Sequence, residues 1–199
     1  MRTFSVNWDY RCPFARNAHE HLLAGLQAGA EWDVRFVVFS LEQSHVEEGG
    51  VPVWDEPDRH PGLAANLAGV VVREKQPEDF LAVHGALFWA RHDQALDLRD
   101  RQVLSRVLHE AGVDGDAILS EVEAGWPLEI LKTEHSDTVE RLKAFGVPTF
   151  VSGDSAVFVR LMSRPMGNGE LAISTIERVL DLIGDWPDLN EFKHTTVFK

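Results

Sequence analysis

Polar and apolar residues alternate from Thr3 to Trp8 (TFSVNW), with β-branched and aromatic members, and the pattern predicts a short strand. Asp9-Tyr10-Arg11 follows as a loop. Pro13 suits a first helical position, because its missing N–H would be unpaired there anyway. Phe14 to Gln27 reads as a helix ending near Gly29, and Trp32 to Phe39 (WDVRFVVF) as a buried strand. A strand, a helix and a strand in so short a span make a βαβ unit, so the two strands are expected to run parallel.

Gly49-Gly50, Pro52, Pro57 and Pro61 then mark an acidic loop that carries Trp54. It reads mainly as a flexible connection, the alternative being a cover over the site anchored by Trp54. A long helical stretch follows. Pro77-Glu78 opens a helix holding Phe80, Leu81, Val83, Leu87, Phe88 and Trp89. Arg101 to Ala111 sets Val103, Leu104, Val107 and Leu108 on one face, and Gly112 closes it. Asp114 or Asp116 caps the helix holding Ile118, Leu119 and Val122, and another helix runs from about Leu128 to Phe145. The pattern then returns to strands, Pro148–Val151 and Ala156–Leu161, with Ser152–Ser155 as a hairpin turn around Gly153. Leu171, Ile173, Ile176, Val179, Leu180 and Ile183 define a last amphipathic helix closed by Gly184. Gly167-Asn168-Gly169 reads as its entry turn. The order is therefore βαβ, a helical block, then ββα: an α/β fold in which the late hairpin and helix complete the first sheet.

The chain has 199 residues, 44% hydrophobic and 26% charged, which fits one globular domain or one domain with a large insertion. Its formal charge of -13 repels phosphate backbones and anionic lipid, so neither nucleic acid nor a membrane surface is an expected partner. The acidity reads as solubility. The stretch Met1–Trp8 is too short and polar for a signal-peptide core, no apolar run reaches the length of a membrane span, and a cytoplasmic location is expected.

Candidate chemistry centres on Cys12, the one cysteine. An intramolecular disulfide is excluded, so any redox partner comes from another molecule. A thiol at a helix N-terminus faces unpaired backbone N–H groups and the positive end of the helix dipole, both of which favour the thiolate and lower the pKa. Arg11 is adjacent and Arg16 lies one turn on; either could lower it further. The bland reading of a lone cysteine is a small buried hydrophobe. A second signal is Gly146-Val147-Pro148-Thr149-Phe150, with a proline at the start of a later strand. A cis bond there would hold the Val147 backbone beside the thiol, where an extended substrate could pair with it; that depends on the fold and not on the dipeptide. His19-Glu20-His21 places its histidines on different sides of a helix, and Leu23 stands where a zincin-type second histidine would be, so no metal site is expected. His19 is read as surface helix, two turns from Cys12. Of the aromatics near the thiol, Trp8 reads as core, while Phe14 reads equally as core or as a contact.

Asp9-Tyr10-Arg11-Cys12-Pro13-Phe14-Ala15 resembles the active-site loop of DsbA-like thioredoxin-fold proteins, usually Cys-Pro-X-Cys, and Val147-Pro148-Thr149 resembles that family's cis-proline loop. The helical block at about 60–145 matches the insertion of the DsbA-like branch. Pro187-Asp188-Leu189-Asn190-Glu191-Phe192-Lys193 is similar to the end of actinobacterial members described as mycothiol-dependent reductases. The resemblance implies a single DsbA-like domain over 1–199, with thioredoxin-like portions at about 1–45 and 146–185. It implies Cys12 as catalytic nucleophile, with Pro13, Phe14, Ala15, Val147 and Pro148 contacting substrate. No tightly bound cofactor is implied; a small thiol of the mycothiol or glutathione type would be co-substrate, and a homodimer is left open.

Ala15 stands where the resolving cysteine belongs. The expected function is therefore monothiol thiol–disulfide oxidoreduction, with an external small thiol releasing the mixed disulfide on Cys12. Two alternatives remain: a transferase or isomerase that uses a bound small thiol, and a redox-inactive binding module.

Overall fold

Strand β1 (Arg2–Trp8) is the centre of the molecule, and its last three residues are all buried. In the computed structural model, which describes residues 1–191, 193 and 194, β1 pairs in parallel with β2 (Trp32–Val38), from Arg2 opposite Trp32 to Trp8 opposite Val38. Phe192, within the C-terminal stretch quoted above, and residues 195–199 lie outside the described residues. On its other side β1 pairs antiparallel with β3 (Thr149–Ser152), which pairs antiparallel with β4 (Ser155–Phe158), giving the order β2-β1-β3-β4. Gly153, at φ 57°, makes the hairpin turn. Helix α1 (Pro13–Gln27) makes the βα crossover and packs against α8 (Gly169–Asp185), whose buried stripe is Ala172, Ile176, Val179, Leu180 and Ile183. Asn168 caps α8, its side chain accepting from the Leu171 N–H at 3.0 Å, so the glycine-flanked turn is a helix entry as expected.

β2 differs from the buried strand expected of it. It is an edge strand with Asp33 and Arg35 exposed. The helical block covers part of that edge with side chains. The block holds α2 (Leu41–Ser44), α3 (Ala64–Lys75), α4 (Phe80–His92), α5 (Arg101–Glu110), α6 (Gly115–Glu123) and α7 (Trp126–Leu142). Arg73 of α3 donates to the Phe36 carbonyl at 2.7 Å, and Glu134 of α7 accepts from the Val38 N–H at 2.7 Å. These two side chains pair with each other at 3.0 Å and take the place of a further strand.

Boundaries shift where local geometry intervenes. Helix α4 begins at Phe80, three residues after the expected opening, because Pro77–Asp79 forms a turn. Of the two candidate caps of α6, Asp114 does the capping, accepting from the Ala117 N–H at 3.0 Å. Helix α7 stops at Leu142 and not Phe145, because Lys143 turns left-handed at φ 55°. Strand β4 ends at Phe158, short of the expected Leu161, once the Val159 N–H has donated to the Pro148 carbonyl at 3.0 Å. Helix α8 runs past Gly184 to Asp185. The loop expected to be a flexible connection is held in place: Val53 is buried, its N–H donates to Gln43 at 2.9 Å, and Trp54 packs edge-on to His135 at 5.6 Å between ring centroids.

Helix α3 is the layer on which the site loop rests. Residues Ala65 to Val72 are all buried, including Gly69. A Cβ at Gly69 would lie 2.6 Å from the hydroxyl of buried Tyr10. Gly69→Ala is therefore expected to destabilise the fold by about 1–3 kcal/mol through overpacking, read as a lower urea midpoint with an unchanged slope. An unchanged midpoint would show that Tyr10 can move away freely.

Candidate active site

Cys12 is the N-cap of α1, with extended backbone, and Pro13 opens the helix behind it. The loop before it is fixed by a buried carboxylate. Asp9 accepts from the Arg11 N–H at 2.9 Å and from the Leu41 N–H at 2.8 Å, while its own carbonyl accepts from the Cys12 N–H at 3.0 Å. Burial pushes the Asp9 carboxyl up, and these N–H donors oppose the shift. The Tyr10 N–H donates to Asn66 at 3.1 Å, and Asn66 in turn donates to the Phe39 carbonyl at 3.1 Å. The thiol is thus set by contacts to α2 and α3 as well as by its own helix.

The proline loop closes on the thiol from the other side. The Cys12 thiol donates to the Val147 carbonyl at 3.3 Å, and the Ala15 N–H donates to Sγ at 3.4 Å. The Val147–Pro148 bond is cis. Asn7, near the end of β1, clamps this loop: its side chain accepts from the Thr149 N–H at 2.6 Å and donates to the Gly146 carbonyl at 3.2 Å. The Thr149 hydroxyl also donates to the Gly146 carbonyl, at 2.8 Å.

Burial raises the pKa of Cys12, against the lowering expected from the helix end. The Ala15 and Phe14 N–H groups and Arg160 act in the lowering direction, but desolvation is larger at a residue only 7% exposed. Neither arginine singled out from the sequence supplies the missing charge. Arg11 pairs with Glu42 at 2.6 Å, and Arg16 with Asp93 at 3.0 Å. The cation that does act is Arg160, which follows β4 and lies far from Cys12 in sequence.

The expected substrate contacts divide by exposure. Pro13 is exposed and Phe14 half-buried, whereas Val147 and Pro148 are buried. Ala15 is fully buried, and it is its amide, through the bond to Sγ, that reaches the site. The expectation for His19 is corrected. It is not on the surface but fully buried, because its imidazole packs between the sheet and α4. Its Nε2 bonds the Asn7 carbonyl at 3.1 Å, its Nδ1 bonds His84 Nε2 at 2.8 Å, and His84 Nδ1 bonds the Tyr10 hydroxyl at 2.7 Å. A carbonyl only accepts, so for neutral rings the whole chain has one sense: Tyr10 donates to His84, His84 to His19, and His19 to Asn7. Asn7, His84 and Arg160 carried no local sequence signal. Each acts through a partner more than sixty positions away or through strand register.

A groove of about 890 Å³ runs along β2 between α4 and α7. It reaches Leu26, at the opposite end of α1 from Cys12, and is not part of this site. No helix among the described residues is long and apolar enough to cross a membrane.

A four-stranded mixed sheet carrying a helix-capping cysteine opposite a proline loop, with helices inserted between β2 and β3, defines a thioredoxin-like α/β protein of the DsbA type. The sequence profile of the DSBA-like thioredoxin domain matches residues 5–180, and the chain belongs to that family. Solved structures share the fold at low identity. A 2-hydroxychromene-2-carboxylate isomerase is 16% identical with a TM-score of 0.64, over 92% of this chain and 98% of its own. The cytosolic disulfide reductase DsbM from Pseudomonas aeruginosa, solved with GSH, is 19% identical with a TM-score of 0.60, over 90% of this chain and 100% of its own. Reduced DsbA1 from Neisseria meningitidis is 17% identical with a TM-score of 0.58, over 91% of this chain and 83% of its own. A search of curated protein sequences finds no match.

Two outcomes follow from the buried groups. The pH dependence of Cys12 alkylation should have its midpoint above that of a free cysteine, about 8.5. A midpoint below neutrality would mean that desolvation is not the dominant effect. Burial also lowers His19 to about 4 and His84 well below its ordinary value. For a histidine the unfolded state then binds the proton more tightly, so stability is complete above about pH 6.5 and falls as the pH drops toward the folded value. His19 alone should cost about 2 kcal/mol at about pH 5. Urea unfolding near neutrality and near pH 5 checks this, and equal midpoints would refute it.

Proposed function

We propose that this protein is a cytoplasmic monothiol thiol–disulfide oxidoreductase in which Cys12 is the attacking group. The observation that supports this most is the position of Sγ, 3.3 Å from the Val147 carbonyl and 3.4 Å from the Ala15 amide nitrogen. The carbonyl holds the resting proton, and the amide faces the charge that develops on sulfur. An extended substrate that donates an N–H to the Val147 carbonyl would displace the thiol proton from it. Sγ would then keep the Ala15 amide contact, which favours the thiolate. Substrate docking would thus offset the burial that holds the free thiol protonated.

The thiolate attacks a mixed disulfide between a substrate and a small thiol. A bond forms between Cys12 and the small thiol's sulfur, and the substrate leaves as its thiolate. With Ala15 in place of a second cysteine, another molecule of small thiol attacks the Cys12 adduct. It leaves as the symmetric disulfide of the small thiol and returns Cys12 to the thiolate. The external thiol supplies both electrons. A thiol of the glutathione or mycothiol type fits this role, and DsbM was solved with GSH. Pro13 and Phe14 flank the approach, and Val147 with Pro148 presents the backbone edge.

A second reading has its own support. The isomerase with TM-score 0.64 shares the fold, and a site without a resolving thiol suits a bound small thiol that does the chemistry. In that case Cys12 positions the small thiol and is not itself consumed.

Turnover of a glutathione mixed disulfide by the wild type, with loss of about two orders of magnitude or more in Cys12→Ser, is the expected outcome. Mass spectrometry of protein taken from its native cells should find one small thiol on Cys12. Retained isomerase or transferase activity in Cys12→Ser would favour the second reading. No turnover, no adduct and no such activity would leave a binding module.

A further inference from the structure

Arg160 is held in place from both sides. The Val159 N–H donates to the Pro148 carbonyl at 3.0 Å, and the Leu161 carbonyl accepts from Asn17 of α1 at 2.8 Å. The residue between them therefore sits against the proline loop and against the helix that carries Cys12. Its guanidinium carbon is 5.4 Å from the centre of the Phe14 ring and 5.8 Å from that of Phe158. Both aromatics are half-buried, and Phe14 is the second residue after the thiol. The guanidinium thus lies on a preset aromatic platform with its polar edge open to solvent.

Among the described residues Arg160 pairs with no carboxylate. The neighbouring guanidiniums are occupied: Arg11 by Glu42 at 2.6 Å, Arg16 by Asp93 at 3.0 Å, and Arg164 by Asp93 at 2.6 Å. In a chain of net charge -13 an anionic reactant is repelled at long range, so one uncommitted cation beside the thiol has a large effect on which reactants stay there. Guanidinium geometry matches a carboxylate through paired N–H donors, and Phe14 and Phe158 offer an apolar surface next to it.

We propose that Arg160 is a specificity residue that binds a carboxylate on the thiol or disulfide reacting at Cys12. The inference rests on Cys12 being the reacting group, as in the function proposed above. The preferred reactant carries a carboxylate and an apolar or aromatic body close to its sulfur, and a neutral thiol of similar size is a poorer one. The reaction itself is unchanged. The Cys12 thiolate bonds to one sulfur of the disulfide, the S–S bond breaks, and the second sulfur leaves as a thiolate.

The test uses the full chain and two aromatic disulfides, dithiobis(nitrobenzoate), which carries a carboxylate on each ring, and uncharged dithiodipyridine. Each releases a coloured thiol, and Cys12 is the only thiol that can react. Rates are taken near about pH 8 and divided by the thiolate fraction from each variant's own alkylation titration, so that a changed ionisation of Cys12 does not enter. Arg160→Gln should slow the dicarboxylate about fivefold or more while altering the neutral reaction less than about twofold. Arg160→Lys should recover most of the difference, and added salt should shrink the gap between the wild type and Arg160→Gln with the dicarboxylate. An equal fall with both probes, or no change with either, overturns the role of Arg160 and leaves the reactive thiol intact. Failure of the wild type to react with either probe overturns the reactive thiol, and this inference with it.

Discussion

The contact on which the site depends is the side-chain amide of Asn7. It is buried in the central strand, yet both ends of the amide are used, one on the Thr149 N–H and the other on the Gly146 carbonyl. These bonds straddle Val147 and Pro148. They fix the segment whose carbonyl meets the Cys12 thiol. A buried amide left with unmatched donors and acceptors costs about 1–3 kcal/mol for each, so the loop is held more by the penalty for releasing it than by the net value of the bonds. An apolar residue at this position would make neither bond. It would leave the proline loop joined to β1 only by the short β1–β3 pairing.

Asn7 is itself held from below. Its carbonyl receives the His19 N–H, at the end of the bonds that run from Tyr10 through His84. Tyr10 belongs to the loop that carries Cys12, so both halves of the site, thiol loop and proline loop, are joined through one buried polar chain. Such a chain is favourable only when every member is satisfied and neutral. Desolvation keeps the histidines neutral, and it also raises the thiol. The rigidity of the site and the weak acidity of its resting thiol therefore have one origin, a dry interior packed closely around β1.

This also separates what the sequence could show from what it could not. The βαβ start was legible because alternation in β1, Pro13 at the helix opening and the apolar run of β2 are local patterns. The late hairpin and α8 were legible for the same reason. Helix α3 was not, because Ala65 to Val72 are buried on every side and show no apolar stripe against a polar face. The position of Cys12 could be read, but not its pKa: the helix end is local, whereas desolvation comes from the whole fold. His19 looked like surface helix because its partner, His84, lies 65 residues away. Arg160 could not be placed at all without the β3–β4 register, which sets Phe158 opposite Thr149 and brings the next residues to the proline loop.

Ala15 separates two roles that one position plays in such a site. Its methyl group is fully buried, part of the core beneath α1. Its amide still points at Sγ. Replacing a resolving thiol by alanine therefore removes the internal second step without disturbing the groups that favour negative charge on the first sulfur. The position is part of the core. Under the proposed reading, selection then passes from the chain's own second cysteine to whatever external thiol can reach the first. Access to Cys12, a residue only 7% exposed, is decided by the rim: Pro13, Phe14 and the guanidinium of Arg160. A dithiol enzyme can be indifferent to the identity of its reductant at this step, because the resolving group is built in. A monothiol site cannot, and Arg160, which pairs with no carboxylate among the described residues, is where the choice of thiol would be made.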